Sequence, residues 1–234
     1  MHPLAIAYCT LTRFTMTRSL QSPITLTSMA DAAPLQVLEW HDLDTNLKTF
    51  CFASHEDEEV EDEVALPAVS IQEVPIKDAG VGHVMWTTGV GMALWGWGQR
   101  ARANKDGSSA TPGLFDGKRV LEIGAGLGLP GLSVAALQRP AAVCISDSRA
   151  TLVANLEAAA ARVRVAAAAP IGVGAAAEMA MEEFNWMHAY QSGTLGSREG
   201  AADVVLGSEI VSSSAAKAIK TFIVVLPHFT RHLL

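Results

Sequence analysis

Cysteine is scarce in this chain, and so are the patterns that cysteine and histidine make when they hold a metal. The three cysteines, Cys9, Cys51 and Cys144, are odd in number and far apart. That excludes a disulfide framework and a thiolate zinc site, and it fits a reducing compartment. The seven histidines are scattered. His228 and His232 stand four apart, but with no third ligand nearby they read as a helix surface, and no metal is expected. Long hydrophobic runs are missing as well. The longest, Val165 to Ala177, contains Pro170 and is shorter than the roughly 20 residues a bilayer span needs, so no membrane partner is expected. There is no stripe of basic residues. Of the 24 acids, seven lie between Glu56 and Glu63, and the remaining 17 equal the 17 bases, so the net charge of −7 resides in that one run. Nucleic acid is excluded as a partner on this ground. The acidic run itself reads as a solvated loop, with a docking site for a basic partner as the sharper alternative.

Within its 234 residues the chain has room for one domain of ordinary size plus extensions. Residues 1–30 hold no Asp or Glu, carry Arg13 and Arg18, and are rich in Ser and Thr, like an organellar transit segment. Alternatively Met29-Ala30-Asp31 is the natural start. Either way residues 1–30 are set apart from the fold as a disordered or targeting segment. The expected location is cytoplasmic, or organellar if that segment is a transit peptide.

Residues 31–80 read as an extension. Leu47 to Ala53 and Val69 to Val74 are predicted strands that form a hairpin around the acidic loop. Residues 81–234 read as the main domain. Trp86 to Arg100 is a predicted helix weakened by glycine, and Asn104 to Gly113 is a loop. From Lys118 strands and helices alternate. Arg119 to Ile123 is a buried strand, Gly124 to Gly131 a glycine loop, and a helix follows to about Leu137. Ala142 to Ser146 is a second strand, and Asp147 opens a helix to about Ala161. Val163 to Ala167 is a possible third strand, Asp203 to Gly207 another, and Ala215 to about Leu226 a last helix. The alternation predicts an α/β domain with a Rossmann-like parallel sheet.

The stretch Val120-Leu121-Glu122-Ile123-Gly124-Ala125-Gly126-Leu127-Gly128 carries most of the functional information. Parallel sheets bind ligands at the carboxyl ends of their strands, and glycines there let a backbone turn tightly and approach a ligand closely. Spacing alone admits a dinucleotide, because Gly126, Gly128 and Gly131 fit G-x-G-x-x-G, though displaced from the strand end. Glu122 tilts the choice. A carboxylate two residues before the first glycine is ill placed beside a pyrophosphate, and it suits S-adenosylmethionine, which carries an ammonium and a sulfonium. Asp147, 23 residues after Gly124 at the end of the second strand, can accept both hydroxyl protons of a ribose. It can also cap the helix that follows, and it favours a nucleoside without choosing between the two cofactors.

On these residues the chain resembles the seven-β-strand methyltransferases that modify lysines of non-histone proteins. VLEIGAGLGLPG, Val120 to Gly131, is similar to that family's first motif. Trp86, in Gly82-His83-Val84-Met85-Trp86, matches its G-x-x-x-W, and Asp203 to Ile210 resembles its strand-four motif. The resemblance implies an S-adenosylmethionine-dependent protein lysine methyltransferase. Gly124, Ala125 and Gly126 would then contact the methionine part of the cofactor through backbone, and Asp147 would hold the ribose. Trp186 would flank the adenine, and Trp86 would close the pocket. Ser208 and Glu209 would lie beside the transferring methyl, with Glu209 positioning the acceptor. Trp95 and Trp97 are expected only to pack.

The chain departs from that family at three positions and in its length. Glu209 stands where Asp is usual, Ser212 where Tyr is usual, and Phe184 replaces Leu in L-x-W. Only 27 residues follow the strand at 203–207, too few for strands five to seven. The expectation is a sheet lacking its last strands, with an exposed edge that either lowers stability or takes a partner. A catalytically inactive binding module and a NAD(P)-binding oxidoreductase are the alternative functions.

Overall fold

The structure, a computed structural model, describes residues 18–20, 24–26, 35–54, 68–100, 112–167, 177–194 and 200–208. The chain divides into two compact units, residues 1–73 and 74–234.

The first unit is an antiparallel sheet. Its strands are β1 (Arg18–Leu20), β2 (Ile24–Leu26), β3 (Leu35–Asp42), β4 (Leu47–Ser54) and β5 (Ala68–Gln72). They are ordered β1-β3-β4-β5, and β2 also pairs with β3. The expected hairpin is present as β4 and β5, with Phe50 opposite Val69 and Leu47 opposite Gln72. It is part of a larger sheet, however, because β3 pairs with β4 along its whole length. The β1 and β2 strands fall inside the segment that composition set apart. Side chains alternate across the sheet as the strand period requires. Val37, Phe50, Phe52, Val69 and Ile71 are buried. Among them Lys48 reaches Glu39 at 3.2 Å and Glu73 at 3.0 Å, so charges on this face are paired. The acidic run lies outside the described residues.

The second unit opens with a short helix α1 (Ile76–Ala79), a 3₁₀ turn (Gly80–His83) and helix α2 (Thr87–Gly98). The α/β part follows. It contains β6 (Arg119–Ile123), α3 (Leu129–Leu137), β7 (Ala142–Asp147), α4 (Ala150–Ala167), β8 (Glu178–Glu183), α5 (Trp186–Gln191) and β9 (Val204–Leu206). The four strands are parallel, in the order β8-β7-β6-β9. This is the α/β fold class that the alternating pattern predicts. The first strand lies in the middle, so the connections diverge on either side of β6, and the crevice between β6 and β9 opens at their carboxyl ends.

Two expectations need correction. Val163 to Ala167 is not a strand but the last turns of α4. Its alternating valines sit in an alanine-rich stretch, and alanine is the strongest helix former. The third strand is Glu178–Glu183 instead, which pairs with β7 from Ala142↔Glu178 to Asp147↔Glu183. Arg164 ties the helix to it by donating to the Met179 carbonyl at 2.9 Å. The helix after β7 also starts at Ala150, later than expected.

At the other end of the sheet β6 is clasped to β9. The Arg119 backbone N–H donates to Asp203 Oδ2 at 2.9 Å, its Nε to the same oxygen at 3.2 Å, and its Nη2 to Oδ1 at 3.0 Å. Asp203 N–H returns a bond to the Arg119 carbonyl at 2.8 Å. These bonds hold the Asp203 carboxyl down at about 2. The predicted helix at 215–226 and the sheet edge beyond β9 lie outside the described residues. Among the described residues no helix is long and apolar enough to cross a membrane.

Candidate functional site

The site grows from the end of β6. Val120, Leu121 and Ile123 are buried, as a central parallel strand requires. The chain then turns through Gly124, Gly126 and Gly128, all with positive φ. Gly128 caps α3 in the left-handed conformation, φ 72°, and Pro130 follows in the first turn, where its missing N–H costs nothing. Ser146 Oγ donates to the Glu122 carbonyl at 2.7 Å, and Ala125 N–H donates to the Ser146 carbonyl at 3.0 Å. The turn is thereby fastened to β7.

Glu122 is 1% exposed. Its Oε2 accepts the Gly131 N–H at 2.8 Å, while its Oε1 has no hydrogen-bond partner. Burial pushes its carboxyl up to about 8, the Gly131 amide works against this, and the neighbouring Asp147 charge adds to it. A carboxylate this deep with one oxygen unsatisfied is costly unless something cationic meets it.

Asp147, at the end of β7, is 8% exposed. Its Oδ2 accepts the Gly126 N–H at 2.9 Å and its Oδ1 accepts the Arg149 N–H at 3.2 Å. It therefore braces the glycine turn as well as facing the cleft, a role that spacing did not suggest. Each oxygen keeps a lone pair for a further donor.

Residues 76–86 form a second wall. Thr151 Oγ1 donates to the Asp78 carbonyl at 2.7 Å. Gly82 lies so close to the turn that a Cβ there would sit 3.3 Å from Gly126 Cα and 2.6 Å from Leu152 Cδ1. Two bare backbones thus meet at Gly82 and Gly126. Trp86 stands at the start of α2, is 46% exposed, and donates from Nε1 to the Val81 carbonyl at 2.9 Å.

These elements enclose a cleft of about 540 Å³, the size of a small-molecule or cofactor site. Of the residues singled out from sequence, Trp86, Glu122, Gly124, Ala125, Gly126, Asp147, Trp186 and Ser208 all line it. Trp186 does double duty. It is buried in a cluster with Leu121, Ile123 and Phe184 at the start of α5, where Asn185 Oδ1 accepts the His188 N–H at 2.9 Å. Glu209 lies outside the described residues. Trp95 packs edge-on against Phe115 at 6.2 Å and Trp97 lies under Arg100, both away from the cleft; Trp95 is nevertheless well exposed. Sequence reasoning missed Met85, Arg149, Leu152 and Met187 in the lining. Only Arg149, two residues beyond the candidate ribose acid, carried a positional signal. Among the described residues no three His, Cys, Asp or Glu side chains gather to hold a metal.

A family model described as lysine methyltransferase matches residues 67–232. No curated protein matches the sequence. Among solved structures, one described as a candidate RNA methyltransferase from Pyrococcus horikoshii is 13% identical, with a TM-score of 0.40. That likeness covers 68% of this chain, which spans 64% of that one. The iminosuccinate reductase of Paracoccus denitrificans is 12% identical, covering 90% of this chain and 55% of the reductase, with a TM-score of 0.29. Likenesses this loose say nothing about ligand or activity.

Proposed function

We propose, because the chain belongs to the lysine methyltransferase family, that its parallel-sheet unit binds S-adenosylmethionine and moves a methyl group to a lysine side chain of a protein. One observation supports the choice of cofactor above the others: the buried Glu122 carboxyl at the cleft, with Oε1 lacking any partner. The cofactor's ammonium and sulfonium are cations that such a group would meet. The bare backbone at Gly82 and Gly126 also fits, because a side chain at Gly82 would fill the space beside the turn.

In this reading Glu122 takes the cationic end of the cofactor, and Gly124, Ala125 and Gly126 offer backbone to its methionine part. Asp147 holds the ribose, Trp186 flanks the adenine, and Trp86 closes the mouth. Ser208 lies at the acceptor end, where a Cβ on Gly89 would come within 3.7 Å of its Oγ. When bound, the cofactor supplies a methyl on a sulfonium, already a good leaving group. The chain's residues hold, orient and exclude water. Keeping an acceptor nitrogen in line at roughly 3 Å supplies roughly 7–11 kcal/mol. A lysine, of ordinary pKa about 10.4, must lose a proton before it attacks. Glu209 is assigned to position the ammonium, not to remove its proton, since a nearby carboxylate favours the charged form.

Calorimetric titration with S-adenosylhomocysteine, followed by labelling of a cell extract with radioactive methyl donor, tests the proposal. Single-site binding and labelled protein are expected. Binding of NAD with no response to S-adenosylhomocysteine would overturn it.

A further inference from the structure

Arg149 sits on the rim of the cleft with no task in the scheme above. It lines the cleft two residues beyond Asp147, and no carboxylate among the described residues pairs with its guanidinium. What the guanidinium touches is Gly80. A Cβ built on Gly80 would lie 2.7 Å from Arg149 Nη2, 2.9 Å from Cζ and 3.2 Å from Nε. A point approaching in the plane between Nη2 and Nε would be farther from Cζ than from either nitrogen. Here Cζ is nearer than Nε, so the point lies over the face of the group. Gly80 has φ 60° and ψ −137°, a conformation essentially confined to glycine. The residue under the guanidinium is therefore the one type that leaves room for it and adopts that backbone without strain.

One face of a planar cation is thus laid on bare backbone, while Arg149 as a residue is exposed and borders the cleft. Arginine stacks on aromatic planes through both its flatness and its charge, whereas lysine offers only a point charge. The same loop places Asp147, the ribose acid of the proposal, beside it, with Oδ1 accepting the Arg149 N–H. A nucleoside whose sugar lies at Asp147 carries its base within reach of this residue.

We propose that Arg149 is a stacking platform for the base of the bound nucleoside, its guanidinium held flat by Gly80 and its free face turned to the adenine. This rests on the S-adenosylmethionine reading and adds a specificity-determining residue to it.

Calorimetric titration of the full chain with S-adenosylhomocysteine tests the proposal in the wild type, Arg149→Ala, Arg149→Lys, Gly80→Ala and the double variant. Arg149→Ala and Arg149→Lys should each weaken binding about tenfold, the size of a partly desolvated cation–π contact. Gly80→Ala should weaken it by a larger factor when Arg149 is present than in the Arg149→Ala background, because displacement of the guanidinium adds to the backbone strain common to both. Wild-type affinity in Arg149→Ala overturns the proposal. So does wild-type affinity in Arg149→Lys, which would make charge sufficient, or an equal loss from Gly80→Ala in both backgrounds. A wild type that ignores S-adenosylhomocysteine fails differently: it removes the cofactor reading itself, and the platform with it.

Discussion

Glu122 and Gly131 occupy one space: the carboxylate on β6 accepts the amide of Gly131 at 2.8 Å, and a methyl group on Gly131 would collide with that same oxygen. The contact ties the start of α3 to the central strand and leaves the other oxygen of Glu122, a residue that lines the cleft, without a partner. Gly131→Ala would also press on Ile145. The expected cost is about 1–3 kcal/mol, typical of overpacking. Urea unfolding measures it, and an unchanged midpoint would refute the contact.

Glu122 should make stability and binding depend on pH. Its folded carboxyl titrates near 8, above the ordinary value of 4.5. Between those values the folded chain keeps a proton that the unfolded chain has lost. Its stabilising contribution is therefore complete below about 4.5 and disappears as pH rises through 8. Unfolding free energies at pH 5 and pH 8.5 should differ more in the wild type than in Glu122→Gln. Binding of a cationic cofactor should release this proton, so affinity should rise with pH up to about 8. Calorimetry in buffers of different ionisation enthalpy should register the release, and no buffer dependence would remove Glu122 from contact with the cation.

Asp203 should behave in the opposite sense. Its carboxyl is held down at about 2 by the Arg119 side chain and backbone bonds. A depressed carboxyl contributes stability above its unfolded value and loses it as pH falls through its folded one. Asp203→Asn should be modestly less stable than wild type at pH 7, with the gap closing towards pH 2. Parallel acid titrations followed by circular dichroism would show it; a gap that persists at pH 2 would point to packing instead.

The cofactor assignment predicts that Asp147→Ala weakens S-adenosylhomocysteine at least tenfold, since hydrogen bonds to a charged group are worth about 1.5–3 kcal/mol. Gly126→Arg should abolish binding, because its φ of 56° and its nearness to Gly82 leave no place for a long side chain. If both variants titrate like the wild type, the ligand does not lie across this turn.

Glu209→Ala should spare cofactor affinity while lowering methylation of a protein acceptor. Single-turnover labelling distinguishes the two effects, and undiminished turnover would take Glu209 out of the reaction.

The β6 strand, its glycine turn and β7 are legible in the sequence because burial and backbone geometry act there through neighbouring residues. Three strong apolar side chains, then glycines, then a helix, leave little choice of structure. Much of the rest depends on contacts between distant residues. Glu178–Glu183 carries three glutamates in six residues and reads as anything but a strand until it is paired with β7. Val163 and Val165 alternate like a strand, and only the continuing helix shows otherwise. The lining residues follow the same division. Glu122, Asp147 and the two tryptophans stand in recognisable motifs. Arg149 gains meaning only from Gly80, 69 positions earlier, and the closeness of Gly82 to Gly126 is written in neither segment.

The clasp between Arg119 and Asp203 lies at the amino-terminal mouth of the β6–β9 seam, whereas Glu122 and Ser208, at the far end, both line the cleft. The ladder between them runs from Val120 opposite Val204 to Glu122 opposite Leu206, and the side-chain clasp reinforces its amino-terminal end. Fraying of these two strands is therefore expected to begin at the end where the cleft lies, and the anchorage that keeps the sheet together also decides which end yields first.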